Sequence, residues 1–218
     1  TLVAKQLVGG VDSVPTVAET VTTAAVTTIF ADNFEYSDAV YLTTWADSMA
    51  PRPGLSTAQN ATPAGAKSVY VQPGTAGSTG SGRVQHALAN LIPTATNPVV
   101  WNVNIYDDYG QGGAHVQFAQ LNGQVADFYY QHVGMLSWSP QNTNYYQYRA
   151  NSNGGPNWVD LTDFDAPLRS VGWHNFTVVH KGLLIDVYVD GLLSKKNITL
   201  TAETTYDMAR IGPGYTST

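Results

Sequence analysis

The 218-residue chain has a net charge of −6 and no basic cluster beyond Lys195-Lys196, which leaves nothing to neutralise a phosphate backbone and excludes nucleic acid as a partner. No apolar run approaches the ~20 residues of a membrane-spanning helix, and with no cysteine the chain has no disulfide, iron–sulfur cluster or thiolate zinc site. Only 12% of residues are charged, while 13 Tyr, 20 Gly and 11 Pro favour sheets and turns over helix.

The chain opens at Thr1 with neither Met nor a charged-then-apolar leader, the start expected of a secreted protein whose signal has been removed. Residues 1–30 read as an N-terminal arm and 31–218 as one domain. Within the arm, 21–30 is uncharged and rich in Thr, Val and Ala, so it is expected to be a strand. Val21, Thr23 and Ile29 lie on one side of it, Val26 and Phe30 on the other. A strand apolar on both sides suits a doubly covered position. It either folds back on its own domain or joins a sheet edge of a neighbouring copy.

From 43 to 82 the chain is dense in Pro and Gly turns that frame one short strand at 68–72. Further strands are predicted at 83–88, 99–106, 114–121, 125–132, 134–137 and 145–150. In the second of these Val99, Trp101, Val103 and Ile105 alternate with Val100, Asn102, Asn104 and Tyr106, the pattern of a half-buried strand. Successive strands of this kind with Gly, Asn and Pro turns predict an all-β, two-sheet antiparallel β-sandwich.

The most strongly written element is the hairpin over 171–191. Two β-branched and aromatic runs flank Lys181-Gly182, and a second turn follows at Asp190-Gly191. Phe176 and Val178 share one face of the first strand, and Ile185, Val187 and Val189 share one face of the second. A one-residue slip would expose a whole apolar row, so the register is well specified.

Gly172-Trp173-His174, the alternating strand, the Gly turn and then Tyr188-Val189-Asp190-Gly191 resemble the concanavalin A-like jelly rolls, in particular the laminin G-like domains of secreted and cell-surface proteins. Asp32-Asn33-Phe34-Glu35 looks like their first strand and Met208-Ala209-Arg210-Ile211-Gly212 like their penultimate one. The resemblance implies a jelly roll in an extracellular or cell-surface setting. It also implies a structural Ca²⁺ near Asp32 and Glu35, at the start of the domain, with hard oxygen ligands. This chain departs from the pattern by stopping at Gly214-Tyr215-Thr216-Ser217-Thr218, where related domains add a strand carrying aspartates.

Glycosidases of this fold place two carboxylates on one strand face. Here the three glutamates, Glu19, Glu35 and Glu203, stand apart, and Asp160, Asp163 and Asp165 fall in a loop-like segment. The Tyr/His strands of polysaccharide lyases are missing too, and no serine sits in a Gly-x-Ser-x-Gly elbow. The chain therefore reads as a non-catalytic subunit of a cell-surface or filamentous assembly whose partners are copies of itself, joined through the arm. The alternative is a carbohydrate-binding or adhesion module that holds polysaccharide through Tyr129, Tyr145, Tyr146, Arg149 and Trp158, rings and donors suited to stacking on sugars. A glycan hydrolase or lyase is the least favoured reading. Asn60, Asn175 and Asn197 head Asn-x-Ser/Thr sequons.

Overall fold

The computed structural model describes residues 7–8, 11–12, 28–49, 51–71, 82–108, 118–123, 130–134, 144–151, 159–200 and 205–212. The chain divides into two compact units, Thr1–Ala31 and Asp32–Thr218. In the first, β1 (Leu7–Val8) pairs antiparallel with β2 (Val11–Asp12). Of the predicted arm strand, Val21, Thr23 and Val26 lie outside the described residues, while Ile29 is exposed and Phe30 partly buried.

The second unit begins with a departure from the expected strand at Asp32–Glu35. The Asp32 carboxylate accepts the Phe34 amide at 2.7 Å and Phe34 sits at φ 62°, so a side-chain-capped turn replaces the strand. A short helix follows, α1 (Asp38–Thr44). Ser37 Oγ accepts the Val40 amide at its start, Tyr41 is its buried residue, and the Trp45 amide donates to the Tyr41 carbonyl at its end.

The strands in order are β3 (Ala46–Met49), β4 (Gly54–Ser56), β5 (Ser68–Tyr70), β6 (Arg83–Leu91), β7 (Val99–Asp107), β8 (Phe118–Gly123), β9 (Tyr130–Gly134), β10 (Gln147–Asn151), β11 (Val159–Asp160), β12 (Gly172–Lys181), β13 (Leu184–Val189), β14 (Leu192–Thr199) and β15 (Tyr206–Ile211). They form a seven-stranded sheet in the order β11-β10-β9-β8-β15-β6-β3, a four-stranded sheet in the order β14-β13-β12-β7, and the small pair β4-β5. Every pairing among the described strands is antiparallel. Strands are present within most of the predicted ranges, while 114–117 and 125–129 of two of them lie outside the described residues. Tyr145 forms only a single bridge, to Leu168, and residues 135–137 lie outside the described residues.

The hairpin over 172–189 takes the register that its alternation dictates: Phe176 faces Val189, Val178 faces Val187 and His180 faces Ile185. Its turn begins at Gly182, φ 59°, and the next turn places Asp190 at 51° and Gly191 at 77°. Two successive positive φ values are what a type I′ turn requires, and Asp-Gly supplies them at low cost. Gly212, φ 101°, is fixed by a close approach, because a Cβ there would run into the Gly82 carbonyl oxygen.

The two large sheets face each other across one core. Tyr146, Tyr148 and Ala150 from the β10 region meet Phe176, Val178, Ile185, Val187 and Val189 of β12 and β13, with Trp101, Val103 and Ile105 of β7 partly buried at the margin. The Tyr146 and Phe176 rings meet edge-on at 5.1 Å, and each fully buried large side chain contributes about 1.5–3 kcal/mol. A polar link also crosses the core: His180 Nδ1 on β12 lies 2.7 Å from the Tyr206 hydroxyl on β15.

Candidate functional site

Two surfaces of the four-stranded sheet stand out. The first is its β7 edge. From Gly172↔Asp107 to His180↔Val99, β7 pairs with β12 without a register shift, and among the described residues nothing pairs with its other side. The second is the outer face. Because residues of one parity on β12 point into the core, Trp173, Asn175 and Thr177 point out, opposite Tyr106, Asn104 and Asn102 of β7. Thr177 also faces Tyr188 of β13.

The outward amides form a row of hydrogen bonds. Asn175 Nδ2 donates to Asn102 Oδ1 at 2.9 Å and to Asn104 Oδ1 at 2.7 Å. Asn102 Nδ2 donates to Asn175 Oδ1 at 2.9 Å and to Thr177 Oγ1 at 2.7 Å, and the Thr177 hydroxyl donates to Asn175 Oδ1 at 3.1 Å. At the end of the row the Tyr106 and Trp173 rings meet edge-on, 5.5 Å between centroids.

At the end of the sandwich where β7 finishes and β12 starts lies a charged cluster. Arg169 grips Asp107 with two parallel bonds, Nε to Oδ2 at 2.9 Å and Nη2 to Oδ1 at 3.0 Å, with both side chains almost wholly buried. The Ser170 amide donates to the buried Tyr146 hydroxyl at 3.3 Å, and burial pushes the Tyr146 phenol above its ordinary range. His174 Nδ1 lies 2.7 Å from Asp190 Oδ2, and its Nε2 lies 3.2 Å from Ser170 Oγ. The sequence of groups is that of a serine nucleophile, a base and an orienting carboxylate.

The same contacts also make a clamp. Nε2 is closer, at 2.8 Å, to the Ser170 carbonyl, which only accepts. A ring nitrogen that donates there has no lone pair left for the serine proton. Asp190 Oδ1 takes the Asn175 amide at 2.8 Å, so His174 and Asp190 tie the start of β12 to the turn after β13. A fluorophosphonate probe is expected to leave Ser170 unmodified. Phosphonylated Ser170 in a peptide mass spectrum would overturn that reading.

The predicted sugar-binding residues do not gather into one open face. Tyr146 is 0% exposed, a core ring with no face for a ligand, which corrects its assignment. Tyr145 and Arg149 are partly exposed but flank Gln147, itself 0% exposed and hydrogen-bonded to Asp160 Oδ1 at 2.7 Å. Tyr129 and Trp158 lie outside the described residues. Asp163, read as a solvated loop residue, accepts Lys195 Nζ at 2.7 Å and ties its loop to β14.

Asp32 and Glu35 are each spent on donors of the protein itself. Asp32 Oδ2 accepts the Tyr36 hydroxyl at 2.7 Å and the Trp45 indole N–H at 2.8 Å. Glu35 accepts the amides of Lys67 and Ala66 at 2.9 and 2.8 Å, and those bonds hold its carboxyl below the usual range. A carboxylate already ringed by N–H and O–H donors is a poor cation ligand, so these two do not fit the expected calcium site. Among the described residues no three His, Asp or Glu side chains converge.

The outward amide row was not among the sequence-derived site residues. The signal for it lay in strand parity: the polar positions of 99–106 and of the hairpin fall on the same face once the two strands are adjacent. Sequence alone does not say that they are. A scan against protein-family models matched none, and a search of curated proteins found no significant match.

Proposed function

We propose that the chain is a non-catalytic, extracellular jelly-roll subunit that joins copies of itself by strand addition, residues 21–30 of one copy lying along β7 of the next. The observation that carries this reading is the character of the four edges of the two large sheets. A long, flat, uncharged edge is a template for another strand, and proteins blunt such edges with short strands, lysines or bulges. Three of the edges are blunted. Among the described residues β11 pairs over only two residues, β3 has a register shift within four residues, and β14 carries Lys195 and Lys196 opposite two shifts. β7 runs nine residues in regular register with no charge before Asp107.

The 21–30 segment matches that edge in length and in its lack of charge. Added there, it would cover Trp101, Val103 and Ile105, which the existing strands bury only in part. Head-to-tail donation does not close on itself unless the rotation happens to, so the product is a filament. The extracellular and jelly-roll parts of the proposal are supported by the Gly172-Trp173-His174 hairpin and the two facing sheets.

Light scattering of the full chain over a wide concentration range tests the proposal, with electron microscopy of the concentrated protein. The expected result is open-ended growth with concentration. Val100→Lys on the recipient edge and Thr27→Pro on the donor strand should each leave folded monomers, the first by charge and the second by loss of a ladder donor. A full chain that stays monomeric at high concentration sinks the proposal, as does growth that both variants leave unchanged.

A further inference from the structure

We infer that the outer face of the four-stranded sheet is a binding site for an uncharged glycan chain, independent of strand addition at the β7 edge. The amide row leaves part of its hydrogen-bonding capacity unfilled. An Asn side chain has two N–H donors and two acceptor lone pairs, and a Thr hydroxyl has one donor and two. Asn175 spends all four of its valences on its neighbours, and Asn102 spends both of its N–H groups. What remains directed away from the network is a lone pair on each of Asn102 Oδ1, Asn104 Oδ1 and Thr177 Oγ1, together with the two N–H groups of Asn104. Acceptors interleaved with donors match a ligand whose groups both donate and accept, as sugar hydroxyls do.

The row is also preorganised. Its side chains are fixed by bonds to one another before any ligand arrives, so little rotamer freedom remains to be lost on binding. The Tyr106–Trp173 pair lies one same-face step from Asn104 and Asn175, and Tyr188 flanks Thr177 on the other strand. All three rings are partly exposed. From the ring pair to the Asn102–Thr177 pair the patch extends two such steps, roughly 14 Å at about 3.4 Å per residue, longer than one sugar ring. Apolar C–H faces of a sugar meet the rings while its hydroxyls meet the amides.

Charge selects the class of glycan. None of the residues forming the patch is an acid or a base, and the chain as a whole is at −6. A uronate, sulfate or phosphate would find no counter-charge within the patch. The occupant is therefore a neutral oligo- or polysaccharide.

Affinity electrophoresis of the full chain from a bacterial host tests the site, in gels cast with xylan, galactomannan, laminarin or hydroxyethylcellulose, and with polygalacturonate as the acidic comparison. Retardation is expected in at least one neutral gel and not in polygalacturonate. Trp173→Ala should weaken it roughly tenfold, the loss that follows from one uncovered ring face. Asn104→Ala removes an exposed side chain and keeps the fold, so it reports on the site even where the Trp173 variant is unstable, and it should weaken retention severalfold. Tyr145→Ala should change nothing. No retardation in any neutral gel overturns the inference, and so does retention that Trp173→Ala and Asn104→Ala both leave intact, or that appears only in polygalacturonate. Monomeric Val100→Lys protein should retain single-site binding, which separates this result from the fate of the assembly reading.

Discussion

Replacing Asp107 with Asn is expected to destabilise the domain by about 3–5 kcal/mol, the cost typical of leaving one member of a buried ion pair without its partner. The Arg169 and Asp107 side chains are 4% and 1% exposed, and two parallel bonds join them. The Asn side chain carries no charge and can accept only one of the two parallel bonds, so the buried guanidinium loses the bidentate carboxylate that it meets in the wild type. Arg169→Met should cost a similar amount for the converse reason. The double variant Asp107→Leu/Arg169→Met should fall well short of the two costs added, because it removes both charges of the pair together. Urea midpoints at unchanged m-value measure all three. Single variants that lose under about 1 kcal/mol, the range of an exposed pair, would show that solvent reaches the site.

This pair fixes more than stability. Asp107 ends β7 and faces Gly172 at the start of β12, while Arg169 belongs to the segment between β11 and β12 and donates its amide to the Asn144 carbonyl. The clamp thereby holds the regular β7 register on which both the open edge and the amide row depend. A loosened Asp107 variant should lose order first at that end of β7, where slower amide exchange in the wild type would mark the difference.

The sequence was legible where one physical rule dominated. Over 172–189 a period of two persists through both strands and the turns are Gly-Leu and Asp-Gly, so strand identity, register and buried face all follow. β14 was harder to read because Lys195-Lys196-Asn197 breaks the alternation. The cause is visible: register shifts lie between Ile185, Val187 and Tyr188, and Asn197 takes φ 55°. The seven residues of α1 are too few for a helical period, and only Ser37 ahead of Asp38 marks its start.

The candidate site was less legible, for a reason that parity makes plain. Alternation separated Tyr146 and Tyr148 from Tyr145, Gln147 and Arg149 but gave no sign of which set was inside. The structure buries Tyr146, Tyr148 and also Gln147 and leaves Tyr145 and Arg149 only partly exposed, so the described residues of this segment present no open aromatic row. The amide row needed a long-range fact, the adjacency of β7 and β12 across more than sixty intervening residues, which no local pattern encodes.

Acid should weaken the fold through His180. Burial pushes its pKa down to about 4, against a lesser upward pull from the Gly182 carbonyl, which lies 2.6 Å from Nε2. That contact sets the tautomer. Nε2–H donates to the carbonyl, and Nδ1 accepts from the Tyr206 hydroxyl, so the neutral ring satisfies both neighbours while sitting in the core. An unfolded chain binds the proton near pH 6.5 and the folded one near pH 4. Between those values the unfolded state carries the extra proton, so stability rises with pH across the window and is lost as pH falls through it. The full loss is about 3 kcal/mol at 1.36 kcal/mol per unit, most of it reached by about pH 4.5, before ordinary carboxylates dominate acid unfolding. His180→Gln keeps an acceptor and a donor in place and does not titrate. Its urea midpoint should therefore be flatter than that of the wild type between about pH 6.5 and 4.5, even if it is lower at neutral pH. The comparison cancels groups common to both proteins, and parallel slopes in the two would place the acid-sensitive group elsewhere.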